Sequence, residues 1–360
     1  MMECRNLGKS YETFLALTGV SLRLDEQEFL SILGPSGCGK STLLRLIAGL
    51  EVPSEGEVFL YGQEISGRKI ILPPERRKFG MIFQDFALFP HLSVNDNVEY
   101  GATGSKKEKQ LRVLELLELV SLSHLATKMP HQISGGEQQR IALARALAPR
   151  PCLMLMDEPF SNLDFQLRQQ LRGEIREILK NEGVATVLVT HDQIEAITFS
   201  DRILLMQKGK VVQEGTPSEI YQLPQTIWAS SFVGEANHLP VEWHKNYLKT
   251  PLGELNIPNE IAINARIMMV RPEDFKIESV PAEKANGIVK SVDFSGPVQT
   301  VGVALKSGVS VMVSGSPHLL WNQEDYVKIT AERYLCFNSN GNRLDGTAEQ
   351  KTNRKGCVPR

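Results

Sequence analysis

Gly34-Pro35-Ser36-Gly37-Cys38-Gly39-Lys40-Ser41 combines glycines, a lysine and a hydroxyl in the pattern G-x-x-x-x-G-K-[ST]. Glycines let successive backbone N–H groups turn inward around an anion, and a helix starting at the lysine adds a partial charge of roughly +0.5 at the same point. Lys40 would then neutralise terminal phosphate oxygens, and Ser41 would offer its hydroxyl to Mg²⁺. Two further sets of residues suit phosphate chemistry. Asp157 and Glu158 follow an apolar run, Cys152-Leu153-Met154-Leu155-Met156, so one carboxylate would hold a metal ion and the other would orient or deprotonate water. His191 follows a second run, Ala185 to Thr190, within reach of a terminal phosphate if those strands lie side by side. Taken alone, the acidic pair would equally serve as helix caps and the histidine as a surface residue.

The elements around these residues decide between the readings. Glu28 to Leu33 reads as a buried strand, and Ser41 to Ala48 spaces its apolar residues as a helix stopped by Gly49. Strand, glycine loop and helix form the context that the phosphate pattern requires. Gly8-Lys9-Ser10 shares the same ending, but Glu3 stands where the leading glycine belongs and no apolar strand precedes it. Met1 to Leu24 alternates as edge strands with a turn near Tyr11-Glu12-Thr13, which leaves Tyr11 either stacked on an adenine ring or packed on a strand. Another strand spans Gly56 to Gly62. Pro73-Pro74-Glu75-Arg76-Arg77 breaks the chain before a strand at Gly80-Met81-Ile82-Phe83, with Gln84 directly after it. From Asp85 to Leu147 the pattern turns helical: Ser93 caps one helix, and Lys106 to Val120 carries Leu111, Leu114, Leu117 and Leu119 on an amphipathic one. Open parallel sheets gather ligands at the carboxyl ends of their strands, where Asp157, Glu158 and His191 would lie.

At 360 residues the chain calls for about two or three domains. Its 40 basic and 42 acidic residues leave a net charge of −2, against the basic excess of a dedicated nucleic-acid binder. The five cysteines, Cys4, Cys38, Cys152, Cys336 and Cys357, show no C-x-x-C spacing, which reads as a reduced chain without a zinc site. The start lacks the apolar run of a signal peptide, and no stretch of about 18 apolar residues predicts a membrane helix. A membrane role would come through a partner.

With these pieces in order the chain resembles the ATP-binding cassette ATPases. The most diagnostic segment is Ile133-Ser134-Gly135-Gly136-Glu137-Gln138-Gln139-Arg140, similar to that family's signature. As local structure it is a capping box, Ser134 with Glu137 three residues on. In the family the signature contacts the γ-phosphate held by the opposite subunit. The resemblance assigns adenine stacking to Tyr11, and phosphate binding to Gly34, Ser36, Gly37, Cys38, Gly39, Lys40, Ser41 and Thr42. It assigns Gln84 to sensing Mg²⁺ and the attacking water, Asp157 to Mg²⁺, Glu158 to the catalytic base and His191 to the switch. Ser161-Asn162-Leu163-Asp164 matches the loop that crosses the dimer interface. Two departures stand out: Ile133 and Glu137 replace the usual leucine and glutamine, and Asn162 stands where alanine is frequent. Glu137 accepts hydrogen bonds but cannot donate them once ionised, which bears on contact with a neighbouring ribose.

The fold implied is α/β: a P-loop NTPase cassette over 1–235, with a helical subdomain at about 86–148. An all-β, oligonucleotide-binding-like (TOBE) domain follows over 236–340, and the polar, basic segment 341–360 reads as a disordered tail. Strand-like stretches from Glu254 to Ile257, Ala265 to Val270, Asn286 to Phe294, Val298 to Leu305, Val309 to Val313 and Asp325 to Thr330 support the β domain. Val270-Arg271-Pro272-Glu273-Asp274 looks like a segment of the importers' version.

One cradle and one signature per chain imply a head-to-tail homodimer around two ATP molecules. The segment Asp85 to Leu92 resembles the importer loop that receives a membrane permease, which implies a peripheral ATPase on the cytoplasmic face of the cell membrane, coupled indirectly to a solute-binding protein, with no nucleic-acid partner. Overall likeness leans towards ferric-iron importers, with polyamine, sulfate, thiamine and phosphonate importers as alternatives. A soluble relative acting on ribosomes or nucleic acid would carry two cassettes or coiled-coil insertions, and Glu158 argues against a regulator without turnover.

Overall fold

Short apolar runs bounded by glycine loops become buried parallel strands. The computed structural model describes residues 1–67, 70–245 and 247–344, in two units, Met1–Ile220 and Tyr221–Arg360. The strands of the first unit are β1 (Met2–Tyr11), β2 (Phe14–Leu24), β3 (Phe29–Leu33), β4 (Glu55–Leu60), β5 (Gln63–Ser66), β6 (Phe79–Ile82), β7 (Leu153–Asp157), β8 (Ala185–Thr190), β9 (Arg202–Gln207) and β10 (Lys210–Gly215). Its helices include α1 (Lys40–Ala48), α2 (Val94–Gly101), α3 (Lys106–Leu119), α4 (Gly135–Leu147), α5 (Phe165–Asn181) and α6 (Gln193–Phe199).

A six-stranded sheet runs β10-β9-β3-β8-β7-β6. All its pairings are parallel except β10 on β9. Every residue of β3 and β8 is buried, as strands covered on both faces must be. Register brings the strand ends level: Leu33 pairs with Thr190, Asp157 with Val189, and Ile82 with Met156. The cradle, Gln84, Glu158 and His191 therefore leave the sheet from one edge. A second, antiparallel sheet, β2-β1-β4-β5, closes over α1. Leu43, Leu44, Leu46 and Ile47 of that helix join Leu17, Val20, Leu30, Ile32 and Val58 in one core.

The helical region packs α2, α3 and α4 around Val94, Val98, Val113, Leu116, Leu117, Ile141 and Leu147. The buried stripe of α3 differs from the leucine pattern. Leu111 and Leu114 are exposed, while Val113, Leu116 and Leu117 are buried. Positions 113, 116, 117 and 120 repeat at i, i+3, i+4 and i+7, so a valine and not the first two leucines sets the helix face.

In the second unit five antiparallel strands are ordered Phe275–Ser279, Tyr326–Ala331, Gly287–Phe294, Gln299–Leu305 and Ser310–Gly315. Val289, Val301, Val303, Val311, Val313, Val327 and Ile329 fill its interior. Asn237–Pro240, Ile267–Val270 and Leu335–Phe337 form a smaller sheet. The segment before 235 is fastened to this unit by Arg271, whose guanidinium donates to the carbonyls of Tyr221, Ser230, Gly234 and Glu235. Of the tail, residues up to Leu344 are held, with the Leu344 N–H on the Cys336 carbonyl at 2.8 Å. The remainder, 345–360, lies outside the described residues.

Candidate functional site

The glycine loop joins β3 to α1 and leaves no room for a side chain at two of its positions. Gly39, at φ 103°, caps α1, and a Cβ there would lie 2.6 Å from the Ala16 carbonyl oxygen. A Cβ on Gly34 would lie 2.4 Å from that of Met206. The loop is braced from outside, since the Gly209 N–H donates to the Cys38 carbonyl at 3.0 Å. Lys40 is buried, its ammonium donating to the carbonyls of Gly34 at 2.7 Å and Pro35 at 3.1 Å. No acidic residue stands in the first turn of α1, so its positive end is left to an anion.

Ser41 donates its hydroxyl to the Asp157 carboxylate at 3.0 Å across the sheet edge. Burial raises the pKa of Asp157 above the usual carboxylate value, and the Ser41 hydrogen bond works against that shift. A hydroxyl and a half-buried carboxylate are the hard oxygen donors that Mg²⁺ prefers, so this pair fits such an ion. The next residue, Glu158, sits at φ 46° with its N–H on the Val189 carbonyl, which turns its side chain away from Asp157's direction along the strand. Its carboxylate meets His191 Nδ1 at 3.0 Å. Two residues chosen separately from the sequence are thus one carboxylate–imidazole pair.

Other candidates are placed less centrally. Gln84 lies beyond β6 with an exposed side chain, its backbone carbonyl accepting from the Asn162 amide at 2.9 Å. Tyr11 is held through its hydroxyl to Glu51, with Lys9 4.9 Å from the ring centre. Burial, then Glu51, raises the tyrosine pKa, and the Thr42 side chain works against that shift. The capping box of α4 forms as expected: the Glu137 carboxylate accepts from the Ser134 N–H at 2.7 Å and hydroxyl at 2.8 Å. The backbone bond holds the Glu137 pKa below its usual value. Among the described residues no hydrogen bond or ion pair joins Ser134, Gly135, Gly136 or Glu137 to the loop from Gly34 to Thr42. Asp164 caps α5 by accepting the Leu167 N–H at 3.0 Å.

Comparison with known proteins decides the family. The model of the ABC transporter family matches residues 17–161, and that of the TOBE domain matches residues 268–337. The Fe(3+) ions import ATP-binding protein FbpC of Pseudomonas fluorescens is 41% identical over 318 residues, 87% of this chain and 90% of that protein. The chain belongs to the ATP-binding cassette import ATPases. The spermidine/putrescine import ATP-binding protein PotA of Roseobacter denitrificans is also 41% identical, over 87% of this chain and 89% of that protein. A dimeric ATP-binding cassette solved in a post-hydrolysis state with ADP and Pi matches with a TM-score of 0.54 at 36% identity, over 60% of this chain and 99% of that one. This import ATPase accordingly binds ATP and hydrolyses it in transport.

The import ATPase also carries site residues that no motif pointed to. Arg168, on the first turns of α5, reaches the Asp192 carboxylate at 3.3 Å and the Leu163 carbonyl at 3.0 Å. Glu195 is buried, its carboxylate on the Thr190 hydroxyl and one oxygen without a partner among the described residues. Its only sequence signal was a charged residue on the inward face of a short helix. Burial pushes its pKa from 4.5 to about 7. A carboxyl whose folded pKa is raised contributes stability that is complete below 4.5 and is lost as pH rises through about 7. Replacing Glu195 by Gln should therefore leave urea unfolding at pH 4 nearly unchanged but raise stability at pH 8, by on the order of 3 kcal/mol at ~1.4 kcal/mol per pKa unit. An equal gap between the two proteins at both pH values would contradict the assignment.

Proposed function

We propose that two copies of this chain close head to tail around two ATP molecules and that the closure drives a ferric-iron permease in the membrane. The observation that carries the catalytic part is the Glu158–His191 pair set beside Ser41 and Asp157. Glu158 takes a proton from the attacking water, and His191, bonded through Nδ1, holds the carboxylate in orientation. Lys40 and the loop N–H groups stabilise charge developing on the transferred phosphoryl group. Ser41 and Asp157 would hold Mg²⁺, which when bound neutralises phosphate charge; Gln84 reports on that position. Tyr11 stacks on adenine, and Ser134 to Glu137 of the second copy complete each site, which explains why one chain keeps its cradle and signature unconnected.

Ferric iron as cargo rests on the names of the relatives, several of them ferric-import proteins at 38–42% identity. The polyamine relative at 41% supports a second reading in which the same ATPase serves a spermidine or putrescine permease. The permease would dock on the turn after Gln84. That turn is built for presentation: Phe86 and Ala87 take positive φ, their carbonyls are held by Arg145 at 3.0 and 2.6 Å, and Asn97 fixes Phe89. Among the described residues no helix is long and apolar enough to cross a membrane, consistent with a peripheral subunit on the cytoplasmic face.

Sedimentation with a non-hydrolysable ATP analogue and Mg²⁺ tests the sandwich. The chain should run as one copy without nucleotide and as two with it, and Ser134→Arg should bind the analogue yet stay single. A chain that remains single at saturating analogue would sink the sandwich. A deletion strain distinguishes the cargo, by whether growth fails under ferric-iron limitation or only without polyamines.

A further inference from the structure

A cavity of about 240 Å³ lies within the second unit, away from the nucleotide loops, and is lined by Tyr221, Glu273, Asp274 and the run Arg333 to Leu335. Its walls are held by contacts of their own. The Arg271 guanidinium, anchored on four backbone carbonyls, lies 4.3 Å from the centre of the Tyr221 ring. The Tyr221 hydroxyl donates to the Glu273 carboxylate at 2.7 Å. Asp274 is tied through its backbone, its N–H on the Arg271 carbonyl at 3.0 Å and its own carbonyl on the Glu332 N–H at 2.8 Å. A wall already ordered lowers the cost of receiving a ligand.

Several polar groups of this cavity have no partner among the described residues. The half-buried Asp274 side chain makes no hydrogen bond or ion pair. Burial, then the adjacent Glu273, raises its pKa, and Arg333 is near enough to oppose that shift without pairing with it. Arg333 itself is exposed and has no ion pair. Tyr334 is 5% exposed and its phenol makes no hydrogen bond, while Arg271 Nε is buried and equally alone. Groups left unpaired at a protein wall cost free energy that a ligand with matching groups recovers. The wall therefore offers one free anionic acceptor, and free donors in a guanidinium and a phenol.

That combination selects the charge of the ligand. Among the described residues no three His, Cys, Asp or Glu side chains gather as a metal site would require, so the cation suited to Asp274 is organic. A phosphate would meet the carboxylates of Glu273 and Asp274, and a diamine would set its second ammonium against Arg333. A zwitterion satisfies both ends, because charge-assisted hydrogen bonds form at each. Met269 and Leu335, both buried, supply an apolar wall for a side chain. The space is smaller than the ~300–1,000 Å³ of a drug-sized pocket, which favours a ligand well below the size of a nucleotide. We propose that this cavity binds a free aliphatic α-amino acid, its ammonium on Asp274 and its carboxylate on Arg333 and the Tyr334 hydroxyl.

The experiment is calorimetric titration of the full chain, without nucleotide, by L-valine, L-leucine, L-isoleucine and L-methionine in turn. At least one should bind with a Kd of about 10–500 μM, within the bound on affinity for a ligand of about nine heavy atoms. The same compound lacking its amino group, and the same compound lacking its carboxyl, should each bind at least about 10-fold more weakly. Asp274→Asn and Arg333→Gln should each weaken the amino acid by about 10- to 100-fold, and Tyr334→Phe by about 3- to 10-fold. Thermal melting and ATP hydrolysis of these variants should match the parent, and the exposed position of Arg333 keeps at least that test clear of folding defects. No saturable heat from any of the four up to about 5 mM overturns the proposal. So does a decarboxylated amine that binds as tightly as its amino acid, or binding that Asp274→Asn and Arg333→Gln leave unchanged.

Discussion

Replacing Glu158 by glutamine is expected to lower kcat by about 10²–10⁴-fold, the range for loss of a general base, while ATP still binds. Glutamine is isosteric and its carbonyl oxygen can still accept from His191, so the turn between β7 and α5 keeps its shape. What disappears is the capacity to accept a proton. The binding groups lie elsewhere: Lys40 is anchored on the loop carbonyls, and Ser41 faces Asp157, not Glu158. Nucleotide affinity measured by equilibrium fluorescence should therefore change little, and the dimer should accumulate with ATP itself, because closure is no longer followed by cleavage. Phosphate release at the parental rate would refute the base assignment. A parallel loss of ATP binding would instead place Glu158 in the cradle.

Much of this site was legible because its chemistry is local in sequence. The glycine loop, the capping box of Ser134 and Glu137, and carboxylates directly after an apolar run each have a signature a few residues long, and β8 spans the residues its pattern indicates. Position in the parallel sheet then follows from a simple rule, that such strands end together. What was not legible depends on contacts between distant segments. The pairing of Glu158 with His191 needs the register of β7 and β8. Arg168 and Glu195 read as ordinary surface charges until α5 and α6 are folded against those strands. In α3 the leucine pattern pointed to a face through Leu111 and Leu114, and only packing on α2 and α4 selects the face of Val113, Leu116 and Leu117. In the second unit each stretch read as strand-like falls on a strand, but Tyr247–Thr250 and Phe275–Ser279 went unread, as did Glu242–His244 and Leu335–Phe337, which at three residues each are too short for alternation to register.

Arg77 is the plainest case of a residue hidden by its surroundings in sequence, and its replacement by methionine should destabilise the first unit by about 3–5 kcal/mol. In sequence it ends a proline-rich loop. In the fold it is 1% exposed, among the largest wholly buried side chains. Nε donates to the Leu72 carbonyl at 2.8 Å, Nη1 to those of Leu46 and Ile47 at 3.2 and 2.7 Å, and Nη2 to Ile65 at 3.4 Å. Two of these acceptors end α1, where terminal carbonyls have no partner within the helix and carry its partial negative charge. Burial depresses the Arg77 pKa to about 10, still protonated at neutral pH, and among the described residues no carboxylate pairs with it. The guanidinium thus replaces water at the end of the helix whose beginning holds Lys40, Ser41 and Thr42. Gly49 completes the fit, since a Cβ there would lie 2.3 Å from Arg77 Nε. Methionine fills similar volume but takes the donor from the buried Leu72 and Ile47 carbonyls, while those of Leu46 and Ile65 keep the N–H groups of Gly49 and Leu72. Arg77→Lys should fall between the two, restoring charge without the planar fork that serves several acceptors at once. Urea unfolding midpoints order the three proteins, and ATP affinity measured well below the transition should weaken in the same order as α1 loosens. A methionine variant within about 1 kcal/mol of the parent would mean that water reaches these carbonyls, and that the helix behind the cradle is held by its apolar face alone.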